Sequence, residues 1–488
     1  MQPAIRNYAL VFFGALLFHV AGTWTFPLID RDEPRFAEAS REMLQRGDYV
    51  VPYLNNRFRF DKPPLTYWCQ TASYRVFGEN DFAARLPSVM AAALTALLLF
   101  AWGRRVGNER IGWWAAIIFT LCLQTLVHAK AAVADMWLVF FMTAAHWAGY
   151  ELLRDRMQDG VETAATFPAP ARRWWWTFYA ALALAFLAKG PVGWLPLITV
   201  AATKFFLPDL KLTRRFLFLT GGLFTLSLVA FWGIPALVRT HGEFFAIGIG
   251  RHVVARSVVA MEGHGADSFW SYLGTLPFYF VLVFVSFFPW SIKLPWLTKK
   301  LWRRRDTFDR YLIAGVAVMF IVFTLVKTKL PHYTLPAFPL LALLLAKALA
   351  DLSGAERFVR RTAATAALAA ILAVAGITMA ARYSPSLQLV RQARGDLTRE
   401  MEFGALVYRE PSLIWYSRRY VDGWMTNLDE NGMKPFFAKA GGRFAVMPTA
   451  LAQKIFPTLP TGWKSYSVHG FNIANGKWVD LTLVLKPV

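Results

Sequence analysis

The sequence predicts an all-α polytopic membrane protein that ends in a small α/β domain, on three observations. Of its 488 residues 56% are hydrophobic and only 17% charged, with a mean hydropathy of +0.36. A soluble domain is roughly half apolar and a quarter charged. The apolar residues fall in blocks approaching the ~20 residues that carry a helix across hydrocarbon. From about residue 382 the texture changes to mixed polar and apolar sequence with no run long enough to span.

The apolar runs lie at 8–28, 82–102, 111–128, 131–153, 174–187, 191–206, 216–237, 270–292, 311–326, 335–350 and 362–381, about eleven spans by length. Several are short enough for a tilted, broken or partly interfacial course. The formal net charge of +22 would suit a nucleic-acid partner, but the bases gather in short connections between apolar runs, which is a signal of topology. One alternate set of connections is net basic throughout, from Arg6 through Arg104 and Arg105, Arg172 and Arg173, Arg214 and Arg215, and Lys293–Arg310 to Arg360 and Arg361. In the opposite set acids balance bases. The N-terminus is therefore expected inside, and the first long loop and the C-terminal portion outside. The first run resembles a signal peptide but lacks a small-x-small cleavage site, so it reads as a retained helix. Cys69 and Cys122 are the only cysteines; they supply neither a disulfide framework nor a CxxC site and are expected to pack.

The expected division is a transmembrane domain over 1–381, containing the outward loop 29–81, and an α/β domain over 382–488. In the latter, β-like runs at 405–408, 443–446 and 478–485 alternate with helix-like pieces at 433–439 and 450–455. Asn475 and Gly476 offer a hairpin turn between 466–473 and the last strand.

The chain is organised around residues 30–68, DRDEPRFAEASREMLQRGDYVVPYLNNRFRFDKPPLTYW. Such charge cannot sit in hydrocarbon. Within it, Phe36, Ala39, Met43 and Leu44 at helical spacing predict a short amphipathic helix over 36–46 lying in the membrane interface, with Pro34 in its first turn and Gly47 at its end. Asp32 and Glu33 then occupy the N-terminal end, where the dipole favours carboxylates; spacing alone fits capping acids as well as catalytic ones. Asp61-Lys62-Pro63-Pro64 places a lysine on a stiffened segment at the membrane surface, suited either to a lipid phosphate or to simple snorkelling. Lys130, Asp135, Lys189, Lys327, Lys329, His332 and Tyr333 stand at outward helix ends, and His264 near the start of the eighth run. Outward lysines run against the positive-inside bias, and an anionic lipid head group is a natural partner. Trp174, Trp175 and Trp176 read as an interfacial belt, and His128, His241 and His252 receive no role.

The ordered series DRDEPRFAEASREML, GDYVVPYLN, FDKPPLTYW, FGENDFAARLPS, LAKGP and KTKLPHYTLPAFP, spanning about residues 28 to 345, resembles the GT-C type lipid-linked glycosyltransferases, in the branch containing the lipid A aminoarabinose (4-amino-4-deoxy-L-arabinose) transferases. The resemblance implies about 11 to 13 transmembrane helices, with interfacial helices in the first outward loop. It implies inverting transfer from a polyprenyl (undecaprenyl) phosphate sugar to lipid A or a related cell-envelope acceptor on the periplasmic side of the bacterial inner membrane. It puts the catalytic carboxylate on Asp32 with Glu33 beside it, donor-phosphate contacts on Lys62, Arg35, Lys189 and Tyr333, a secondary acidic role on Asp135, and a possible divalent metal, zinc, on Asp61 and His264. Asp61 departs from the Glu familiar at that position. The chemistry suits the residues independently: cations stabilise the charge that develops on a departing phosphate, and a carboxylate deprotonates an acceptor hydroxyl. Two other readings stand beside this one, the same donor with a protein or glycan acceptor, and a lipid transporter or flippase. A transporter should carry ionisable groups near mid-bilayer, whereas these runs are nearly free of them.

Overall fold

The computed structural model describes residues 3–159, 169–208, 212–255 and 269–488. The first part of the chain forms α1 (Pro3–Val20), α2 (Asp32–Arg46), a hairpin of β1 (Tyr53–Leu54) and β2 (Arg57–Phe58), α3 (Leu65–Phe77), α4 (Asp81–Val106), α5 (Glu109–Thr120), α6 (Leu123–Ala129), α7 (Asp135–Asp159) and α8 (Ala169–Lys189). α4 lies at the centre. Its small residues Ala91, Ala92, Ala93 and Ala96 are buried in one cluster with α1, α5 and α7, because without large side chains the backbones can approach closely and gain packing where lipid supplies no hydrophobic drive. α4 and α5 approach closely enough that a Cβ on Gly103 would stand 2.8 Å from the Cα of Gly112.

Among the described residues five helices are long and apolar enough to cross a bilayer: Asp81–Val106, Phe218–Arg239, Thr307–Leu325, Pro331–Ala350 and Ala355–Tyr383. Two further pairs pass only as bent units, α5 with α6 at 67° and Trp270–Ser286 with Trp290–Arg303 at 113°. Run length alone therefore overstates unbroken spans. At the α5–α6 break, the Leu123 N–H bonds to the Phe288 carbonyl at 2.9 Å instead of its own helix, and the Cys122 thiol bonds to the Ser286 carbonyl at 3.4 Å. The run at 191–206 is also interrupted, with Leu195–Ala202 flanked by 3-10 turns. Three of the arginines expected inside, Arg104, Arg105 and Arg173, line one cavity of about 590 Å³ together with Tyr8 and Trp174 at one end of the bundle. The opposite end carries the first loop and is called the loop face here.

The amphipathic helix of the first loop exists as α2, and Gly47 ends it in the left-handed conformation at φ +66° with its N–H on the Leu44 carbonyl. Its environment differs from the expectation of an interfacial helix. Glu33, Glu38, Arg41 and Glu42 are buried along with Phe36, Ala39 and Met43. Phe36, Ala39 and Met43 pack on Tyr67, Val133 and Ala134, and Ala37 lies in a cluster with Tyr74 and Trp415. The charges sit inward because the C-terminal part of the chain covers them and supplies partners: Arg418 bonds Glu38, and Arg41 bonds the Trp415 carbonyl at 3.0 Å.

That C-terminal part holds a five-stranded sheet of β3 (Glu402–Leu406), β4 (Met425–Leu428), β5 (Arg443–Pro448), β6 (Lys464–Asn472) and β7 (Lys477–Lys486), in the order β4-β3-β5-β7-β6. β4, β3 and β5 are parallel, while β5, β7 and β6 pair antiparallel. Helices cover both faces. Phe444, Val446, Leu483 and Leu485 bury against Leu389, Leu413 and Ile414 on one side, and Ala445, Met447 and Val484 against Met433, Phe436 and Ala452 on the other. β5 therefore reads as an unbroken apolar run, as a strand covered on both faces must. The later predicted strands and the Asn475-Gly476 turn fall where expected, whereas the strand expected at 405–408 lies earlier, at Glu402–Leu406, with Val407 beyond it at φ +67°; β4 and the helices Pro385–Ala393 and Pro411–Ser417 have no counterpart in the sequence reading.

Gly103→Ala should lower the thermal midpoint in detergent, consistent with about 1–3 kcal/mol of overpacking. Gly14→Ala, with no atom within 4 Å of the added Cβ, should not lower it.

Candidate active site

The two acids of the DE pair have opposite environments. Glu33 is buried, and both its oxygens are engaged: Arg85 donates Nε to Oε1 at 2.9 Å and Nη2 to Oε2 at 2.7 Å, and the Ala132 and Ile29 N–H groups add one bond each at 2.7 Å. Arg85 spends its remaining donors on the Thr23, Phe26 and Pro27 carbonyls, each at 2.8 Å. The five N–H donors of a guanidinium and the roughly four lone-pair sites of a carboxylate are thus all matched. Glu33 is a brace, which corrects its assignment as a catalytic carboxylate: no oxygen is left to meet a substrate.

Asp32, the first residue of α2, points the other way, with its side chain 69% exposed and Arg35 at 3.9 Å. Neither acid caps the helix, since no side chain accepts a bond at the Arg31 N-cap. Arg59, buried beneath this end of α2, donates Nε to the Tyr67 hydroxyl at 2.9 Å, pairs with Asp61 at 3.0 Å and faces the Phe36 ring. Asp32 lies within electrostatic reach of both Arg59 and His128.

The ends of α6, α7 and α8 and the 331–337 turn meet near it. Asp135, at the N-terminus of α7, pairs with Lys189, at the C-terminus of α8, at 2.5 Å, so each charge sits at the helix end whose dipole favours it. His332 Nε2 lies 3.8 Å from the same carboxylate, and its ring centroid is 5.2 Å from that of His128 and 5.3 Å from that of Tyr333. Lys189 Nζ is 5.8 Å from the Tyr333 ring. Lys62, which donates to the Asp61 carbonyl at 3.0 Å, lies within electrostatic reach of His332. Residues from α2, the 61–62 segment, α6, α7, α8 and the 331–337 turn therefore form one polar cluster at the loop face.

Two of the lysines singled out by their place in the sequence do not belong to it. Lys130 donates to the Phe18, His19 and Ala21 carbonyls, and Lys329 to those of Phe323, Thr324 and Val326. Each closes the carbonyl end of a helix, so its partner is backbone and not a lipid head group. His264 lies outside the described residues. Its proposed co-ligand Asp61 is paired with Arg59, and the described residues hold no group of three His, Cys, Asp or Glu side chains placed to bind a metal ion. The sequence reading missed His128, Arg59 and Arg85. Arg85 was detectable, because an arginine one turn inside an apolar helix needs a partner; His128, near the end of an apolar run, gave no such signal.

A model of the dolichyl-phosphate-mannose-protein mannosyltransferase family matches residues 9–243. An uncharacterized protein of Aquifex aeolicus is 30% identical over 349 residues, which is 70% of this chain and 72% of that one. An undecaprenyl phosphate-alpha-4-amino-4-deoxy-L-arabinose arabinosyl transferase of Pectobacterium carotovorum is 31% identical over 360 residues, 71% of this chain and 59% of its relative. Among solved structures, ArnT from Cupriavidus metallidurans bound to undecaprenyl phosphate superposes with a TM-score of 0.78 at 21% identity, over 98% of this chain and 97% of that one. The oligosaccharyltransferase AglB of Archaeoglobus fulgidus matches with a TM-score of 0.53 at 13% identity, over 98% and 74%. Motif series, sequence relatives and fold agree on the class this chain is similar to, the lipid-linked glycosyltransferases. Within that class it is similar to the undecaprenyl phosphate-aminoarabinose arabinosyl transferases, and it spans 54 to 60% of the length of those curated relatives.

Glu33→Gln leaves Arg85 buried with a neutral partner and should cost several kcal/mol, in the range of about 3–5 for a broken buried pair; a thermal midpoint equal to the parent's would contradict the bracing role. A pH effect follows from two other carboxyls. Burial pushes Asp30 up to about 7 against two bonds from Ser412 that favour its ionised form, and burial with Glu38 nearby pushes Glu42 to about 7. A carboxyl whose pKa is higher folded than unfolded stabilises the fold at low pH and loses that contribution as pH rises through the folded value. The thermal midpoint should therefore fall between about pH 4 and about pH 7 and level off above that, and the Asp30→Asn, Glu42→Gln double variant should flatten the fall.

Proposed function

We propose that the chain is an inverting glycosyltransferase which moves a sugar from a polyprenyl phosphate to lipid A or a related envelope acceptor, at the periplasmic face of the bacterial inner membrane. The observation that carries this reading is an exposed carboxylate, Asp32, beside Arg35, on the same face as Lys62 and as the Lys189–Asp135 pair with Tyr333 next to it. The basic connections at the opposite end support the orientation, with 1–381 in the membrane and 29–81 and 382–488 outside.

In the reaction the acceptor oxygen bonds to the anomeric carbon as the bond from that carbon to the phosphate oxygen breaks. The leaving phosphate gains one negative charge, which Lys62, Arg35 and Lys189 are placed to stabilise, commonly the largest single contribution to catalysis. Asp135 holds the Lys189 ammonium in place at 2.5 Å. With a hydroxyl acceptor, Asp32 takes the departing proton, an effect of about a hundred- to ten-thousand-fold. With a phosphate acceptor, whose second pKa is about 6, no proton need leave. Asp32 then orients the acceptor and stabilises the cationic character of the sugar. Glu33 acts only by holding the start of α2.

The test is release of polyprenyl phosphate from undecaprenyl-phosphate sugar donors by purified protein, with lipid A or other envelope glycans as acceptor. Asp32→Asn should lower kcat at least a hundredfold and Lys62→Ala should do so by about tenfold or more. Full turnover by Asp32→Asn removes the assignment. Mass spectrometry of lipid A from cells with and without the gene identifies the sugar and acceptor; an unmodified lipid A beside an altered protein or glycan pool would redirect the acceptor reading.

A further inference from the structure

Asp32 has no bond to the C-terminal part of the chain among the described residues, yet nearly every residue leading up to it does. The Leu28 N–H donates to the Tyr416 hydroxyl at 2.8 Å. The Asp30 carboxylate accepts from the Ser412 N–H at 2.9 Å and from the Ser412 hydroxyl. Arg31 donates to Glu410 at 3.2 Å, and Glu410 in turn accepts from Asn472, at the end of β6, at 3.1 Å. Only Ile29 is held otherwise, by Glu33 at 2.7 Å. Behind Asp32 the body of α2 is gripped by the same region, with Arg418 bonding Glu38 and Gln45, and the Arg41 guanidinium stacked 3.7 Å over the Trp415 ring. Tyr416 and Trp415 also bond Asp81, at the first turn of α4.

We propose that the helix Pro411–Ser417 with its N-cap residue Glu410 is a positioning element of the active site, in which Ser412 through Asp30, Glu410 through Arg31 and Tyr416 through Leu28 set where the Asp32 carboxylate points. The inference rests on Asp32 being the catalytic carboxylate. Its physical basis is leverage: consecutive Cα atoms are at most ~3.8 Å apart, so a bond at residue 30 or 31 constrains residue 32 directly. A misplacement of about 1 Å in a reacting group costs on the order of a hundredfold in rate. Packing of one domain on another needs apolar contact area. It does not need polar bonds on three of the four residues that precede a catalytic acid.

The experiment compares Ser412→Ala, Ser412→Thr and Glu410→Gln with the exposed control Lys454→Ala, all in the full-length protein. Three measurements are made: hydrogen–deuterium exchange over residues 24–36, affinity for undecaprenyl phosphate, and kcat in the transfer assay. Ser412→Ala should speed exchange at 28–35 and lower kcat about tenfold or more, with undecaprenyl phosphate affinity within twofold of the parent and the hydroxyl of Ser412→Thr restoring both. Glu410→Gln should act in the same direction and Lys454→Ala should change nothing. Unchanged exchange at 28–35 in Ser412→Ala overturns the proposal. So does a loss of kcat that merely tracks loss of phosphate affinity and thermal midpoint, since that is general destabilisation. If Asp32→Asn keeps full activity while Ser412→Ala still loosens 28–35, the catalytic assignment has failed and the structural coupling stands.

Discussion

The site depends first on the buried pair of Glu33 and Arg85. Together they join the turn after α1, the residues before α2, the first turn of α2, the second turn of α4, and the segment that precedes Asp135. A buried ion pair repays its desolvation only when the remaining lone pairs and protons are also satisfied, and here they are. The contribution is geometric: five pieces of chain are held in one relation, and Asp32 is left at the rim with its oxygens exposed.

The loop face also shows how the same residue type takes two physical roles. Lys130 and Lys329 end among three backbone carbonyls each, neutralising the negative end of a helix. Lys189 meets a carboxylate that is itself next to two histidines, and Lys62 sits on a proline-stiffened segment close to them. In the sequence all four are lysines expected on one side of a membrane, three of them at helix ends and Lys62 just before one. What separates them is the partner, set by how the helix in question stops: Phe18–Ala21 and Phe323–Val326 leave carbonyls that must be bonded, whereas the end of α8 continues into Gly190 at φ +79° and turns its lysine toward α7.

The legible features were those written in composition and local pattern: the apolar helices, α2 with Pro34 and Gly47, the strands and last hairpin of the C-terminal sheet, and the charged segment bearing Asp32 and Lys62. The family likeness added Lys189 and Tyr333, which the structure brings together. Features that depend on pairing between distant segments stayed hidden. The burial of Glu38, Arg41 and Glu42 looked like a solvated face because the helix that covers them lies some 370 residues away in sequence, as in the Arg41–Trp415 bond. The α5–α6 bend is set by carbonyls at 286 and 288, and no local breaker announces it.

Those long separations bear on how the molecule comes into being. The bonds at Leu28 and Asp30 close loops of 388 and 382 residues, so a ribosome must have made most of the polypeptide before either can form. Helices early in the chain are free to insert and associate well before that. The nascent protein is thus expected to pass through a stage in which Asp32 is present while the residues before it are still unanchored, and to gain that anchoring only once the helix Pro411–Ser417 has been made.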